Sequence, residues 1–260
     1  MSATTLAPVP TGSSLPAALE GRTVVVVGGS SGIGLASATL LASVGARVAL
    51  MARDEGRLSA AAESIRAASG SSVLTIAGDG TDEGALERAF EGLGRLDHVL
   101  VTAGGFAVGP LLSTPREQVG QVVDGRFWGT YGVARAAVPH LPPGGSITLS
   151  SGLYLNRPIP GASATIAAIG AVEGFTKALA VELAPLRLRV NALRYGVVDT
   201  PLSRGALGLA DDASVAAAGQ GAPLGRFATA EEAASAALFL MANNYMTGTV
   251  LSVDGGQSLV

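Results

Sequence analysis

Short β-branched or apolar runs alternate strictly with segments of helical spacing along almost the whole chain, and no other property of the sequence restricts its fold so far. The runs lie at residues 23–27, 46–51, 73–77, 98–102, 146–149, 188–193 and 249–253. Segments with helical periodicity fall between them, at 33–44, 54–68, 82–93, 116–141, 162–183 and 230–241. Strands separated by helices pair in parallel, and a parallel sheet needs cover on both faces. The pattern therefore predicts an α/β fold, a doubly wound parallel sheet of about seven strands with helices on both faces. The 260 residues fit within one such domain. No repeat or linker divides residues 20–260. Residues 204–225, rich in Ala and Gly and without clear periodicity, stand where a substrate lid would be inserted.

Composition narrows the function. Only 14% of residues are charged, 17 Lys and Arg against 20 Asp and Glu, whereas about 25% is usual. So few charges leave apolar surface to be placed in a core or between subunits, and a homo-oligomer is expected. No run of about 18 uninterrupted apolar residues suggests a membrane span. No Lys/Arg cluster offers a footprint for nucleic acid. Without Cys, and with only His98 and His140, there is no disulfide, thiol nucleophile or ordinary zinc site, so no metal is expected. Residues 1–19 are rich in Ser, Thr, Ala and Pro and lack the basic and apolar regions of a signal peptide. They read as a flexible leader, and the default compartment is the cytoplasm.

The first chemical signal is Gly28-Gly29-Ser30-Ser31-Gly32-Ile33-Gly34, directly after a four-valine strand and opening a helix. Glycines let a backbone turn sharply and approach a pyrophosphate, which the helix N-terminus then holds. About 20 residues beyond the glycines, a site preferring NAD places an acidic residue on the ribose 2′-hydroxyl. Here Ala52 and Arg53 occupy that place. A guanidinium can grip a 2′-phosphate, so the spacing favours NADP(H), with Ser30 or Ser31 as further donors. Arg53 as a solvated residue at a helix start is the other reading.

At this point the chain resembles the short-chain dehydrogenase/reductase family, whose Rossmann-type domain the match follows nearly end to end. Gly28, Gly32 and Gly34 fit the family's TGxxxGxG turn, with Val27 in place of Thr. Gly78-Asp79-Gly80-Thr81-Asp82 is similar to the loop after the third strand, where the resemblance implies that Asp79 hydrogen-bonds the adenine. Ala103 and Gly104 retain part of the NNAG element. Arg189-Val190-Asn191-Ala192, followed by Tyr195-Gly196-Val197-Val198-Asp199-Thr200-Pro201, is similar to RVNxxxPGxxxTP, with Tyr195 replacing Pro. The resemblance places Val198 and Thr200 at the cofactor, Thr200 at the nicotinamide carboxamide. Pro223-Leu224-Gly225-Arg226 and Val253-Asp254-Gly255-Gly256 resemble the family's PLGR and VDGG. Relatives usually assemble as dimers or tetramers.

The family's catalytic Asn, Ser, Tyr and Lys do not carry over. Aligning the segment from Ala171 to Ala180 puts Thr165 at the Tyr position and Ile169 at the Lys position. Gly152 falls where the Ser is expected, thirteen residues before Thr165, although a slip of one residue would bring in Ser151. Arg126 stands at the Asn position. An aliphatic hydroxyl is too weak an acid to exchange a proton at neutral pH, so alcohol oxidation by the usual route is expected to be crippled. Hydride delivery to an electrophile that needs no concurrent protonation, such as an iminium, quinone or enone, survives that loss.

Arg126 is a candidate to stabilise a developing oxyanion or contact the ribose, against a helix-holding pair with Asp124 or another acid. Tyr154, in the loop after the fifth strand, is the candidate proton donor, against plain pocket lining, and Ser151 is a third candidate. Arg157 reads as a solvated loop residue or an anchor for an anionic substrate. His140 reads as a helix cap and His98 as structural, while Phe127 and Trp128 read as subunit packing. Three function classes remain: an NADPH-dependent reductase of an unusual small-molecule electrophile, a non-redox cyclase or isomerase, and a non-catalytic NADP-binding protein. The first is favoured because Arg53, Asp79 and Thr200 occur together.

Overall fold

The computed structural model describes residues 17–260. Seven parallel strands form one sheet in the order β3-β2-β1-β4-β5-β6-β7. They are β1 (Thr23–Val27), β2 (Arg47–Ala52), β3 (Leu74–Ala77), β4 (His98–Val101), β5 (Ser146–Gly152), β6 (Arg189–Tyr195) and β7 (Val250–Val253). The helices are α1 (Gly32–Ser43), α2 (Glu55–Ser69), α3 (Glu83–Leu93), α4 (Arg116–Val123), α5 (Gly129–Ala137), α6 (Ser163–Glu182), α7 (Pro201–Leu207), α8 (Asp212–Gly219) and α9 (Ala230–Ala242). All seven expected strands form, within a few residues of the predicted bounds. The sheet is covered on both sides, making a single-domain Rossmann-type fold. Val25, Val27, Ile147 and Val190 pack under α3, α5 and α6. Val24, Val26, Leu50 and Leu193 pack under α1, α2 and α9. Burial on both faces is why β1 reads Thr-Val-Val-Val-Val without alternation.

Three elements differ from the sequence reading. Ala17–Leu19, assigned there to the leader, form a 3-10 turn with Leu19 fully buried in the α1/α2/α9 layer; the rest of the leader, residues 1–16, lies outside the described residues. The helix expected over 116–141 is divided. α4 ends at Val123, a π turn spans Asp124–Trp128, α5 follows, and a 3-10 turn, Val138–His140, ends the run. Gly125 and Gly129 bracket Arg126 there, and the low helical propensity of Gly makes the extra residue per turn easier to accept. The aperiodic stretch 204–225 contains most of α7 and all of α8, each opened by a capping box, Thr200 with Ser203 and Asp211 with Ser214.

α6 is long and apolar enough by length and composition to cross a membrane, but it carries Glu173 and Lys177 and packs on β5 and β6. The N-terminal edge of the sheet is tied by polar contacts. Asp97 accepts from the Thr23 amide (2.9 Å), Arg22 (3.2 Å) and Arg95 (3.0 Å). Buried His98 bonds Ser146 Oγ through Nδ1 (2.8 Å). Arg189 donates to the Leu240 and Met241 carbonyls at the end of α9 (2.8 and 2.7 Å).

Candidate active site

The C-terminal ends of the strands, where ligands bind in an open α/β sheet, gather the glycine turn, the loops after β3 and β4, and α7. At Gly28, φ is +87°, and a Cβ there would lie 2.6 Å from the Ala103 amide nitrogen and 2.7 Å from Thr102 Oγ1. A Cβ at Gly34 would collide with the Gly28 carbonyl oxygen. The turn therefore closes on itself and on the loop after β4 only because side chains are missing. Ser31 is the N-cap of α1, yet its hydroxyl caps nothing. The first-turn amides at Gly32, Ile33 and Gly34 are left as open donors at the positive end of the helix. Ser30, half-buried, completes the turn. This donor set and the bare backbone approach fit a pyrophosphate, so the residues present suit a dinucleotide.

Arg53 stands exposed at the end of β2 with no hydrogen-bond or ion-pair partner among the described residues. The next residue, Asp54, caps α2 through the Arg57 amide (2.9 Å). Ala52 and Ala77 are register partners, which brings the β3 loop beside Arg53. In that loop Asp79 accepts from the Thr81 amide and hydroxyl (both 2.9 Å) through Oδ1. Gly80 lies against Val27; a Cβ there would sit 3.4 Å from its side chain. Thr200 packs on the glycine turn, its Cβ 3.3 Å from where a Cβ on Gly32 would be, and caps α7 through the Ser203 amide. Val198 is buried and bridges to Ala228, and its carbonyl accepts from Ser203 Oγ. Of the expected cofactor positions, Ala103 and Thr200 meet the glycine turn directly, while Arg53, Asp79 and Gly80 flank it across β1 and β2.

Beside the turn opens a cleft of about 850 Å³, continuous with solvent and mostly apolar in lining. Ile33, Phe106, Tyr154, Tyr195 and, from α7, Leu202 and Ala206 form much of its wall. Arg126 reaches it from the π turn. Its Nε donates to the Gly105 carbonyl at 2.5 Å, and its Cγ would lie 3.1 Å from a Cβ on Gly104. The expected alternative, a pair with Asp124 or another acid, does not form among the described residues; a loop carbonyl takes its place. Burial pulls the Arg126 guanidinium down to about 10, which leaves it cationic at neutral pH. Tyr154, on the 3-10 turn Leu153–Leu155, lines the cleft with its ring on Phe106 (5.6 Å between centroids). Burial raises its phenol, so it stays protonated.

The positions that the sequence reading assigns to the family's acid and base, Thr165 and Ile169, are closed or apolar. The Thr165 hydroxyl donates to the Ala107 carbonyl (2.7 Å) and accepts from the Ala107 amide (3.2 Å), clasping the loop after β4. Ile169 is buried and faces Gly152, where a Cβ would sit 3.8 Å from its Cδ1. Ser151 borders the cleft, but its hydroxyl donates to Glu173 Oε1 at 2.6 Å on the α6 side of the sheet. Glu173 in turn binds Arg194 in a fork, 2.8 Å to Nε and 2.6 Å to Nη2. Ser150 donates to the Val101 carbonyl (2.8 Å). Neither serine presents a free hydroxyl beside Ile169.

Arg157 donates to the Gln257 carbonyl (3.0 Å), so it ties its loop to the C-terminal segment. His140 stacks near Phe90 (6.3 Å). Phe127 and Trp128 of the π turn, Tyr131 of α5 and Phe175 of α6 form an aromatic cluster, with Trp128 54% exposed. Four participating residues escape the sequence reading. Thr102 donates to the Val27 carbonyl at the glycine turn (3.1 Å), and the Glu173–Arg194 pair joins residues 21 apart with no local signal. Tyr195 lines the cleft, and its one signal in the sequence is that it displaces a proline.

A family model described as enoyl-(acyl carrier protein) reductase matches residues 27–258. The short-chain dehydrogenase/reductase malC of Malbranchea aurantiaca is 32% identical over 255 residues, covering 93% of this chain and 96% of that one. Carbonyl reductase family member 4 of Danio rerio is 33% identical over 244 residues, covering 92% and 99%. The 3-oxoacyl-[acyl-carrier-protein] reductase FabG of Chlamydia muridarum is 32% identical over 248 residues, covering 92% and 98%. Among solved structures, the MalC reductase/Diels-Alderase of Malbranchea aurantiaca superposes with a TM-score of 0.86 at 31% identity, covering 94% of this chain and 99% of that one. With the glycine turn, the seven-strand order and these matches in agreement, the chain belongs to the short-chain dehydrogenase/reductase family of oxidoreductases, whose members bind NAD(P)(H).

Proposed function

We propose that this protein is an NADPH-dependent reductase of an activated, largely apolar electrophile: an iminium, a quinone, an enone or a similar small molecule. The observation that carries the reading is the set Gly152, Thr165 and Ile169: Gly152 lines the cleft, while Thr165 and Ile169 are buried. Thr165 has both its donor and its acceptor engaged by Ala107, Ile169 is apolar, and Gly152 has no side chain. A ketone reduced there would become an alkoxide with no acid at the Thr165 position to protonate it, and the two phenols that line the cleft, Tyr154 and Tyr195, are made weaker acids by burial. An iminium that accepts a hydride becomes a neutral amine, and a quinone or enone becomes a delocalised anion that water protonates afterwards.

The reduced nicotinamide, when bound, supplies the hydride. The chain's own residues bind and orient. The α1 amides and glycine cradle take the pyrophosphate, and Arg53, with no acidic neighbour paired to it, suits a 2′-phosphate. Arg126 places an unpaired cationic edge toward the cleft, suited to a developing oxyanion. Leu202, Ala206 and Phe106 exclude water around an apolar substrate. The exposed aromatic face at Trp128 and Tyr131 supports assembly as a dimer or tetramer.

The test is consumption of NADPH, monitored by its absorbance, against a quinone, an enone and a cyclic iminium beside a simple ketone, with NADH in parallel. Turnover of the first three, weak or absent turnover of the ketone, and preference for NADPH are expected. Oxidation of simple secondary alcohols with NADP+ at the rates ordinary for relatives would overturn the reading. A second reading draws on the relative described as a reductase/Diels-Alderase. A pericyclic reaction needs no proton donor either, and product formed in the same cleft without NADPH consumption would favour it.

A further inference from the structure

Tyr195 ends β6, in register with Gly152 of β5 and Val253 of β7. It lines the cleft and is only 6% exposed. Its hydroxyl oxygen is shut off from solvent and has no hydrogen-bond partner among the described residues. Two other side-chain atoms among the described residues share that condition, Thr148 Oγ1 and Arg189 Nε, and neither residue borders the cleft. Arg189 also satisfies its other guanidinium nitrogens on the carbonyls of Leu240, Met241 and Met246. Tyr195 is therefore the case in which an orphaned buried donor and a ligand-sized space occur in one residue.

A buried hydroxyl without a partner destabilises the state that contains it, and a phenylalanine would fill the same volume without that penalty. The penalty disappears when something entering the cleft brings an acceptor. Tyr195 belongs to the apolar layer that also holds Leu193 and Val198, with Ile33 of α1 packed against it, so little in that layer competes for the bond. Burial also raises the phenol, which keeps its proton and acts as a donor.

We propose that Tyr195 donates a hydrogen bond to a carbonyl-type oxygen of the molecule that fills the cleft, reached through the side-chain adjustment that accompanies ligand binding. Two sources carry that oxygen: the carboxamide of the nicotinamide and the electrophile itself. Only the second rests on the reductase reading given above.

The test compares the full-length protein with Tyr195→Phe in three measurements. These are the thermal midpoint without ligand, the affinity for NADPH by fluorescence titration, and KM for a quinone at saturating NADPH. The expected result is an unliganded midpoint equal to or above that of the parent, together with binding weakened by about five- to tenfold, the loss of one neutral hydrogen bond. Weakening in the NADPH titration assigns the oxygen to the carboxamide. An unchanged NADPH affinity with a raised KM assigns it to the electrophile. A lowered unliganded midpoint with both affinities unchanged marks a tyrosine serving only the fold and overturns the proposal. If no electrophile turns over, the reductase reading fails, while the midpoint and the NADPH titration still decide the role of Tyr195.

Discussion

Arg126 and Thr165 illustrate how one residue's hydrogen bonds decide what it is free to do. Thr165 closes both sides of its hydroxyl on Ala107, whereas Arg126 uses only Nε on Gly105 and leaves its terminal nitrogens without partners among the described residues. The cation next to the reacting space is thus the free group, and the hydroxyl is a clasp. Arg126→Ala is expected to lower kcat for a quinone or enone by about 100-fold, the size of losing one preorganised donor to an oxyanion. The NADPH affinity should change little. Stopped-flow and steady-state kinetics with both substrates measure this, and an unchanged kcat would remove Arg126 from the chemistry. The sequence displays the positions of Arg126, Thr165 and Ile169 through their spacing from motifs that flank them. It does not display what their side chains bond, because Ala107 and Gly105 lie on a loop without periodicity.

At the scale of elements, β5, β6 and α6 are locked together by Ser151, Glu173 and Arg194. The side chains of Glu173 and Arg194 are 8% and 15% exposed, so the pair exchanges water for a forked ion pair and one hydroxyl. Removing one partner of a buried pair leaves the other charge uncompensated. Arg194→Met is therefore expected to destabilise the fold by about 3–5 kcal/mol. Urea denaturation measures it, and a loss under 1 kcal/mol would mean that water or a shifted neighbour replaces the arginine. Introducing Glu173→Met in the same chain should restore much of the loss. Elements whose pattern is carried within a few residues are legible in the sequence: each strand run, the periodic segments that form α2 and α3, and the glycine turn. The π turn and the α7/α8 pair are harder to read. The first depends on one extra residue in an otherwise helical pattern, and the second on short capped helices with little amphipathic contrast.

For the whole molecule, pH enters through the sheet's N-terminal edge. Burial pulls the pKa of His98 from 6.5 to about 3, so the folded protein holds it neutral where the unfolded chain would protonate it. The stability from neutral His98 is intact above pH 6.5 and is lost as pH falls toward 3, by about 1.4 kcal/mol per pH unit. The urea midpoint is expected to decline from pH 6.5 to 5 in the parent and to stay flatter in His98→Asn. Parallel profiles would exclude His98 as the source. The seven-strand architecture follows from alternation that spans the entire sequence, which is why its order of elements is readable while individual contacts across the sheet are not.

His98, Asp97 and Arg189 all sit at the strand starts, whereas the glycine turn, Arg126, Tyr154 and Tyr195 all sit at the strand ends. The intervening strands separate the two groups by roughly 13–23 Å, about 3.3 Å for each of four to seven residues. Sites so far apart without shared partners contribute additively. The two ends can consequently be redesigned as separate modules: stabilising changes at the starts leave substrate choice alone, and substitutions that enlarge or recharge the cleft can be combined with them at no interference.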